Sequence, residues 1–160
     1  MTHRFLRLSI LLPVVLLSIL GVAVAQSVWT SSIGYTIIPG ASVTWLSNMN
    51  LGNIDEGATG SATISNVVVV SLTKSQSYTI ILSISNADQL KTQFSSLSLV
   101  FKEGTSQVVT LTLTTPSAQF TLGGPQSMNL NTVMSWTVLS SITTSGQSIT
   151  GQINLSATFA

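Results

Sequence analysis

Residues able to carry out acid-base or nucleophilic chemistry are scarce in this sequence. The single histidine is His3, and the chain contains no cysteine. A Ser-His-Asp triad, a Cys-His pair and an ordinary zinc site each need one of these residue types in the mature domain. The composition therefore argues against an enzyme, and it predicts neither a metal site nor a cofactor.

Beyond residue 25 the acidic residues are Asp55, Glu56, Asp88 and Glu103. A glycosidase holds two carboxyl groups several ångströms apart across its substrate, but Asp55 and Glu56 are adjacent and would face opposite ways on a strand. Calcium takes at least about six oxygen ligands, more than the 53–57 loop (NIDEG) offers with its few side chains. The pattern is typical of a solvated turn.

The surface is predicted to be almost free of charge. Charged residues make up 6% of the chain, the formal net charge is +1, and the only lysines are Lys74, Lys91 and Lys102. Binding of nucleic acid or of acidic membranes needs clustered Lys and Arg, so we expect neither partner. Low net charge favours association between copies of a protein.

Residues 1–25 have the pattern of an export signal. Positive charge comes first, from His3, Arg4 and Arg7, and an apolar run over 8–22 follows. The small residues Ala23 and Ala25 then fit the cleavage site of a signal peptidase. We expect cleavage after Ala25, a mature chain that begins at Gln26, and membrane contact only through the signal. An uncleaved anchor is the alternative, because the run approaches the roughly 20 residues that span a bilayer.

The mature sequence opens with an amphipathic strand. In the 28–38 segment, apolar residues at odd positions alternate with small or polar residues, as on a β-strand with one buried face. The apolar set is Trp29, Ile33, Tyr35 and Ile37. Pro39-Gly40 separates this segment from the rest, so we divide the chain into a signal (1–25), a first strand (26–39) and one β domain (40–160).

The remaining sequence predicts an all-β fold. Short runs rich in β-branched residues alternate with polar turns, and no long helical pattern occurs. We expect strands over 41–46, 62–72 and 78–84, a hairpin through Lys102-Glu103-Gly104-Thr105, strands around 134–142 and 149–159, and loops over 47–60 and 116–131. About seven or eight such strands favour a single immunoglobulin-like antiparallel β-sandwich, with a barrel as the alternative.

Two further motifs have competing interpretations. Asn154-Leu155-Ser156 is the one complete glycosylation sequon in the sequence, and alternation puts Asn154 on the polar face of the last strand, where it would carry a glycan if the host modifies it. The three tryptophans could suggest a surface on which sugars stack, but each lies on the same face of its predicted strand as apolar residues. They are Trp29, Trp45 and Trp136. We therefore expect these tryptophans to pack in the core.

Taken together, these features resemble the secreted archaeal thread-type pilins. The resemblance rests on the signal ending at Ala25, the strand at the mature N-terminus, the Pro39-Gly40 break, and a Ser/Thr-rich, cysteine-free sandwich. The stretch LGNIDEGATGSATISN also looks, more distantly, like surface sandwich domains of the TasA and camelysin group. The sequence differs from type IV pilins, because residues 3–7 lack the small residue that precedes their apolar helix.

The resemblance implies an extracellular, cell-surface filament of identical subunits, in which the 26–38 strand of one subunit completes the sheet of the next. It also implies glycans on exposed asparagines. The alternative is a monomeric secreted or S-layer-associated binding module that contacts surfaces or glycans and keeps its first strand. The two hypotheses share a fold and differ in where residues 26–38 are bound.

Overall fold

The computed structural model describes residues 26–31, 40–141 and 149–160 of the chain. These residues form ten strands and one short helix. The strands are β1 (Gln26–Ser31), β2 (Ala41–Trp45), β3 (Asn50–Asn53), β4 (Thr59–Leu72), β5 (Ser77–Ile84), β6 (Phe94–Glu103), β7 (Ser106–Thr112), β8 (Ser117–Gly123), β9 (Gln126–Val138) and β10 (Ile149–Phe159). The helix α1 (Ala87–Leu90) lies between β5 and β6.

The strands form two five-stranded sheets. The first has the order β3-β1-β10-β5-β8, and the second has the order β2-β4-β9-β6-β7. All pairs are antiparallel except β1 with β10, which run parallel. The predicted all-β sandwich is thus confirmed, but the expected seven or eight strands were too few for the described residues.

The core fills the space between the inner faces of the two sheets. On β5, the residues at alternate positions, Tyr78, Ile80, Leu82 and Ile84, are all buried. They belong to one apolar cluster with Leu99 of β6 and Leu130 of β9, from the opposite sheet. Full burial of a large apolar side chain contributes about 1.5–3 kcal/mol before entropy is counted, so this cluster holds the two sheets together.

The predicted hairpin is confirmed as the β6–β7 connection. Glu103 pairs with Ser106 across a loop of Gly104 and Thr105. Gly104 has a φ of 57°, a positive value that glycine adopts without steric cost, as the first loop position of such a turn requires.

Strand β4 contains a bulge opposite β9. Ile64 pairs with Thr132 and Val68 pairs with Leu130, so β4 has two more residues than β9 over this interval. Within the bulge Asn66 has a positive φ of 52°. Its backbone N–H donates to Asn131 Oδ1 over 2.8 Å, which satisfies a donor that the ladder leaves unpaired.

Several local predictions were wrong. The expected 47–60 loop contains β3, and the expected 116–131 loop contains β8 and the first part of β9. The connection from β5 to β6 contains α1, a helix of four residues. Over the part of the chain that the structure describes, no helix is long and apolar enough to cross a membrane.

Candidate functional site

The first strand occupies an interior position in the first sheet. β1 pairs with β10 on one side, from Ser27 opposite Ile149 to Ser31 opposite Ile153. On the other side it pairs with β3, with Gln26 opposite Asn53. β1 is therefore paired on both edges within a single chain, with β10 along residues 27–31 and with β3 along residues 26–28.

The residues predicted to form the apolar face of this strand are only partly described. Trp29 lies in β1, at the register position of Gly151 on β10, and Gly151 is buried. Ile33, Tyr35 and Ile37 lie outside the described residues, as do Ala23 and Ala25 of the predicted cleavage site.

The second half of β10 anchors β10 itself in the core. Ile153 and Leu155 are almost completely buried, and the residues from Ile153 to Phe159 pair with β5. Phe159 packs its ring 5.2 Å from that of Tyr78, centroid to centroid. β10 is thus anchored independently of β1.

The first half of β10, which pairs with β1, has a different support. Here the side chain of Asn86 takes the place of a strand, because its Nδ2 donates to Thr150 O over 2.7 Å and its Oδ1 accepts from the N–H of Gln152 over 2.9 Å. Ser85 N–H donates to Gln152 O over 2.9 Å. The role of Asn86 is not predictable from the sequence, because nothing local signals a contact 64 residues away.

Asn154, the predicted glycan carrier, lies on β10 opposite Ser83 of β5. Its neighbours Ile153 and Leu155 are buried, whereas Asn154 is half-buried, as expected for the outer face of the sheet. The register therefore agrees with the predicted polar face of the last strand.

The acidic residues do not converge on one site. Among the described residues, no group of three or more His, Cys, Asp or Glu side chains is placed to hold a metal ion. Asp55 and Glu56 are exposed between β3 and β4. Asp88 accepts a hydrogen bond from Lys91 Nζ over 2.7 Å, and this bond together with the lysine's charge lowers the pKa of the Asp88 carboxyl.

Two of the three tryptophans pack as predicted. Trp45 and Trp136 are partly buried against the core cluster. Trp136 lies against Gly60, where a Cβ atom would come within 2.5 Å of the indole Cζ2, so glycine at position 60 makes room for the ring. Both residues therefore pack on the core side of their strands, as their parity predicted.

Two buried polar atoms have no hydrogen-bond partner among the described residues, Trp45 Nε1 and Thr132 Oγ1. Thr132 is completely buried and pairs with Ile64 and Phe101 on the strands beside it. A hydroxyl without a partner in such surroundings lowers stability.

Thr132→Val is therefore expected to stabilise the protein. It replaces the buried hydroxyl by a methyl group of similar shape and should raise the free energy of unfolding by about 1 kcal/mol, measured by urea denaturation. The control is Thr63→Val on the exposed face of β4, which should change stability by at most about 0.5 kcal/mol. A loss of stability in Thr132→Val would contradict this account of the hydroxyl.

The fold defines the class of this protein as a two-sheet β-sandwich in which β1, the first of the described strands, lies between the short edge strand β3 and β10. The sequence matches no protein-family model. The comparison with curated proteins also gives no significant match.

Proposed function

We propose that this protein is the structural subunit of an extracellular, cell-surface filament assembled by donor-strand exchange. In this proposal, the segment that forms β1 leaves its own sheet and occupies the same position in a neighbouring copy. The partner is thus another copy of this chain, without nucleic acid or a cofactor. A glycan on Asn154 would cover the outer face of β10 without blocking the β1 position.

The position of β1 is the observation that carries the proposal. This strand holds its place through backbone ladders with β10 and β3, and β10 stays anchored to β5 and Asn86 without it. Withdrawal of β1 would expose an unpaired edge on β10, which is a template for another strand. An identical strand from a neighbour restores the same pairs and creates a head-to-tail contact that repeats without closing.

A monomeric secreted binding module is the second candidate, and the in-chain pairing of residues 26–31 favours it. In that case β1 stays in its own sheet permanently. The two candidates predict the same pairs of residues in contact, but in one case both members belong to one chain and in the other to two chains.

A cysteine pair across β1 and β10 distinguishes these cases. Thr30 and Gln152 are register partners, and the chain has no cysteine of its own. Adjacent strand positions lie within the range that a disulfide bridges. After mild oxidation of assembled material, Thr30→Cys with Gln152→Cys is expected to give a ladder of covalent multimers on non-reducing gels, and the filaments should be visible by electron microscopy.

The matched control is Thr79→Cys with Thr158→Cys, which joins β5 to β10 and should form a disulfide within one chain in every state. Each single-cysteine variant controls for random cross-linking. If Thr30→Cys with Gln152→Cys forms only an intrachain bond at high protein concentration and no filaments appear, the exchange is refuted and the monomeric module is favoured.

A further inference from the structure

Strand β3 depends on β1 for its place in the sheet. In the order of the first sheet β3 is an edge strand, and among the described strands its only neighbour is β1. The pairs are Gln26 with Asn53, Ser27 with Gly52 and Val28 with Asn50, with a register shift after Ser27. β3 has four residues, and no other strand in the described part of the chain pairs with them if β1 leaves.

The segments that flank β3 are attached to the other sheet. Before it, the N–H of Leu46 donates to Val67 O of β4 over 2.9 Å, and after it the N–H of Gly57 donates to Leu139 O, just beyond β9, over 3.1 Å. Met49 is 2% exposed and anchors the start of the segment in the core. Residues 46–58 are therefore held at both ends on the second sheet, while their middle part lies on the first.

From this arrangement we infer that β3 acts as a strap. It closes over whichever strand occupies the β1 position, and it loses its ladder when that position is empty. Short edge elements with few hydrogen bonds open at low free-energy cost, whereas the two anchored ends keep the strap beside the gap. An inserted strand is then gripped on both edges, in parallel by β10 and in antiparallel orientation by β3.

The strap is a property of the single chain. Its role in locking a neighbour's strand rests on the proposed function, because only exchange brings in a strand from another copy. In that setting the strap adds a second ladder after insertion, and this ladder slows release of the donor.

Hydrogen exchange of the full mature chain tests the strap directly. The amides of 50–53 and of 26–31 are expected to exchange together, with protection factors that agree within about tenfold, and faster than the amides of β5 and β9. If the amides of 50–53 stay protected by more than about tenfold beyond those of 26–31, the strap is overturned.

Val28→Pro provides the second measurement. Proline removes a backbone donor and cannot be accommodated in a strand paired on both edges. We expect at least about tenfold faster exchange at 50–53, with β4 and β9 still protected, and restored protection when a synthetic 26–38 peptide is added. Gln119→Pro on β8, the opposite edge of the same sheet, should leave 50–53 unchanged.

The two proposals fail separately. Unchanged protection at 50–53 in a folded Val28→Pro chain overturns the strap whether or not filaments form. If Val28→Pro also loses protection in β4 and β9, the joint exchange of 50–53 and 26–31 in the wild-type chain decides the question. Joint exchange in a protein that never polymerises supports the strap and refutes the filament.

Discussion

Replacing Leu82 by alanine is expected to cost about 2–5 kcal/mol of unfolding free energy, through lost burial and the cavity left behind. Leu82 is completely buried in the middle of β5, with Leu155 and Ala118 as its register partners on the adjacent strands. Since small domains have only about 5–15 kcal/mol of stability, the change should be large in a urea or guanidinium titration.

The neighbouring residue Ile81 is the matched control. It is of similar size, but it is half-buried on the outer face of the sheet, opposite Ser156 and Gln119. Ile81→Ala should cost roughly 1 kcal/mol, because much less apolar area returns to water on unfolding. Equal losses for the two variants would contradict the assignment of inner and outer faces on β5.

The second large effect is expected at Gly124, in the connection between β8 and β9. A Cβ atom at this position would collide with the backbone carbonyl oxygen of Lys74 and lie 3.0 Å from Leu72 Cβ. The Gly124 N–H also donates to Gln76 O over 2.9 Å. Gly124→Ala should therefore cost about 1–3 kcal/mol or more, because backbone has to move to admit the methyl group.

Gly123→Ala, one residue earlier, is the control for this prediction. A Cβ atom at Gly123 would meet nothing within 4 Å, so the substitution should be neutral or slightly stabilising, by up to about 1 kcal/mol, through the lower entropy of the unfolded chain. Thermal and denaturant midpoints of the two variants should move apart. A Gly124→Ala protein as stable as Gly123→Ala would show that the β8–β9 connection is not in close contact with the β4–β5 connection, which contains Lys74.

Much of the sandwich was predictable because alternation of apolar and polar residues reports directly on buried strand faces. Tyr78, Ile80 and Leu82 are buried as their pattern predicts. The alternation also survived the bulge in β4. Two extra residues keep a period of two in phase, so Ile64 and Val68 both face inward, whereas one extra residue would have reversed every later position.

Strands β3 and β8 were missed because local turn signals outweighed their short strand patterns. Both are edge strands. In β8, Ala118, Phe120 and Leu122 alternate with the exposed Ser117, Gln119 and Thr121, as in a strand with one buried face. Pro116 before this strand and Gly123 at its end are typical of loops, and these signals hid the alternation.

The partners of β1 could not be predicted from the sequence. The amphipathic pattern indicated a strand, but the choice of β10 and β3 depends on contacts between residues far apart in the chain. The same applies to Asn86, whose side chain supports β10, and to Asn131, which satisfies the bulge at Asn66. A polar side chain that hydrogen-bonds to backbone far away in the sequence produces no periodic pattern of apolar and polar residues.

The place of β1 beside β10 has a consequence for any polymer built through exchange of this strand. Each copy would donate its strand to one neighbour and accept a strand from the other, so the two tips of the polymer would differ chemically. One tip would present an open edge on β10 and the other a strand without a host sheet. Such a polymer has a defined polarity, and subunits would add at its two tips by different reactions and at different rates.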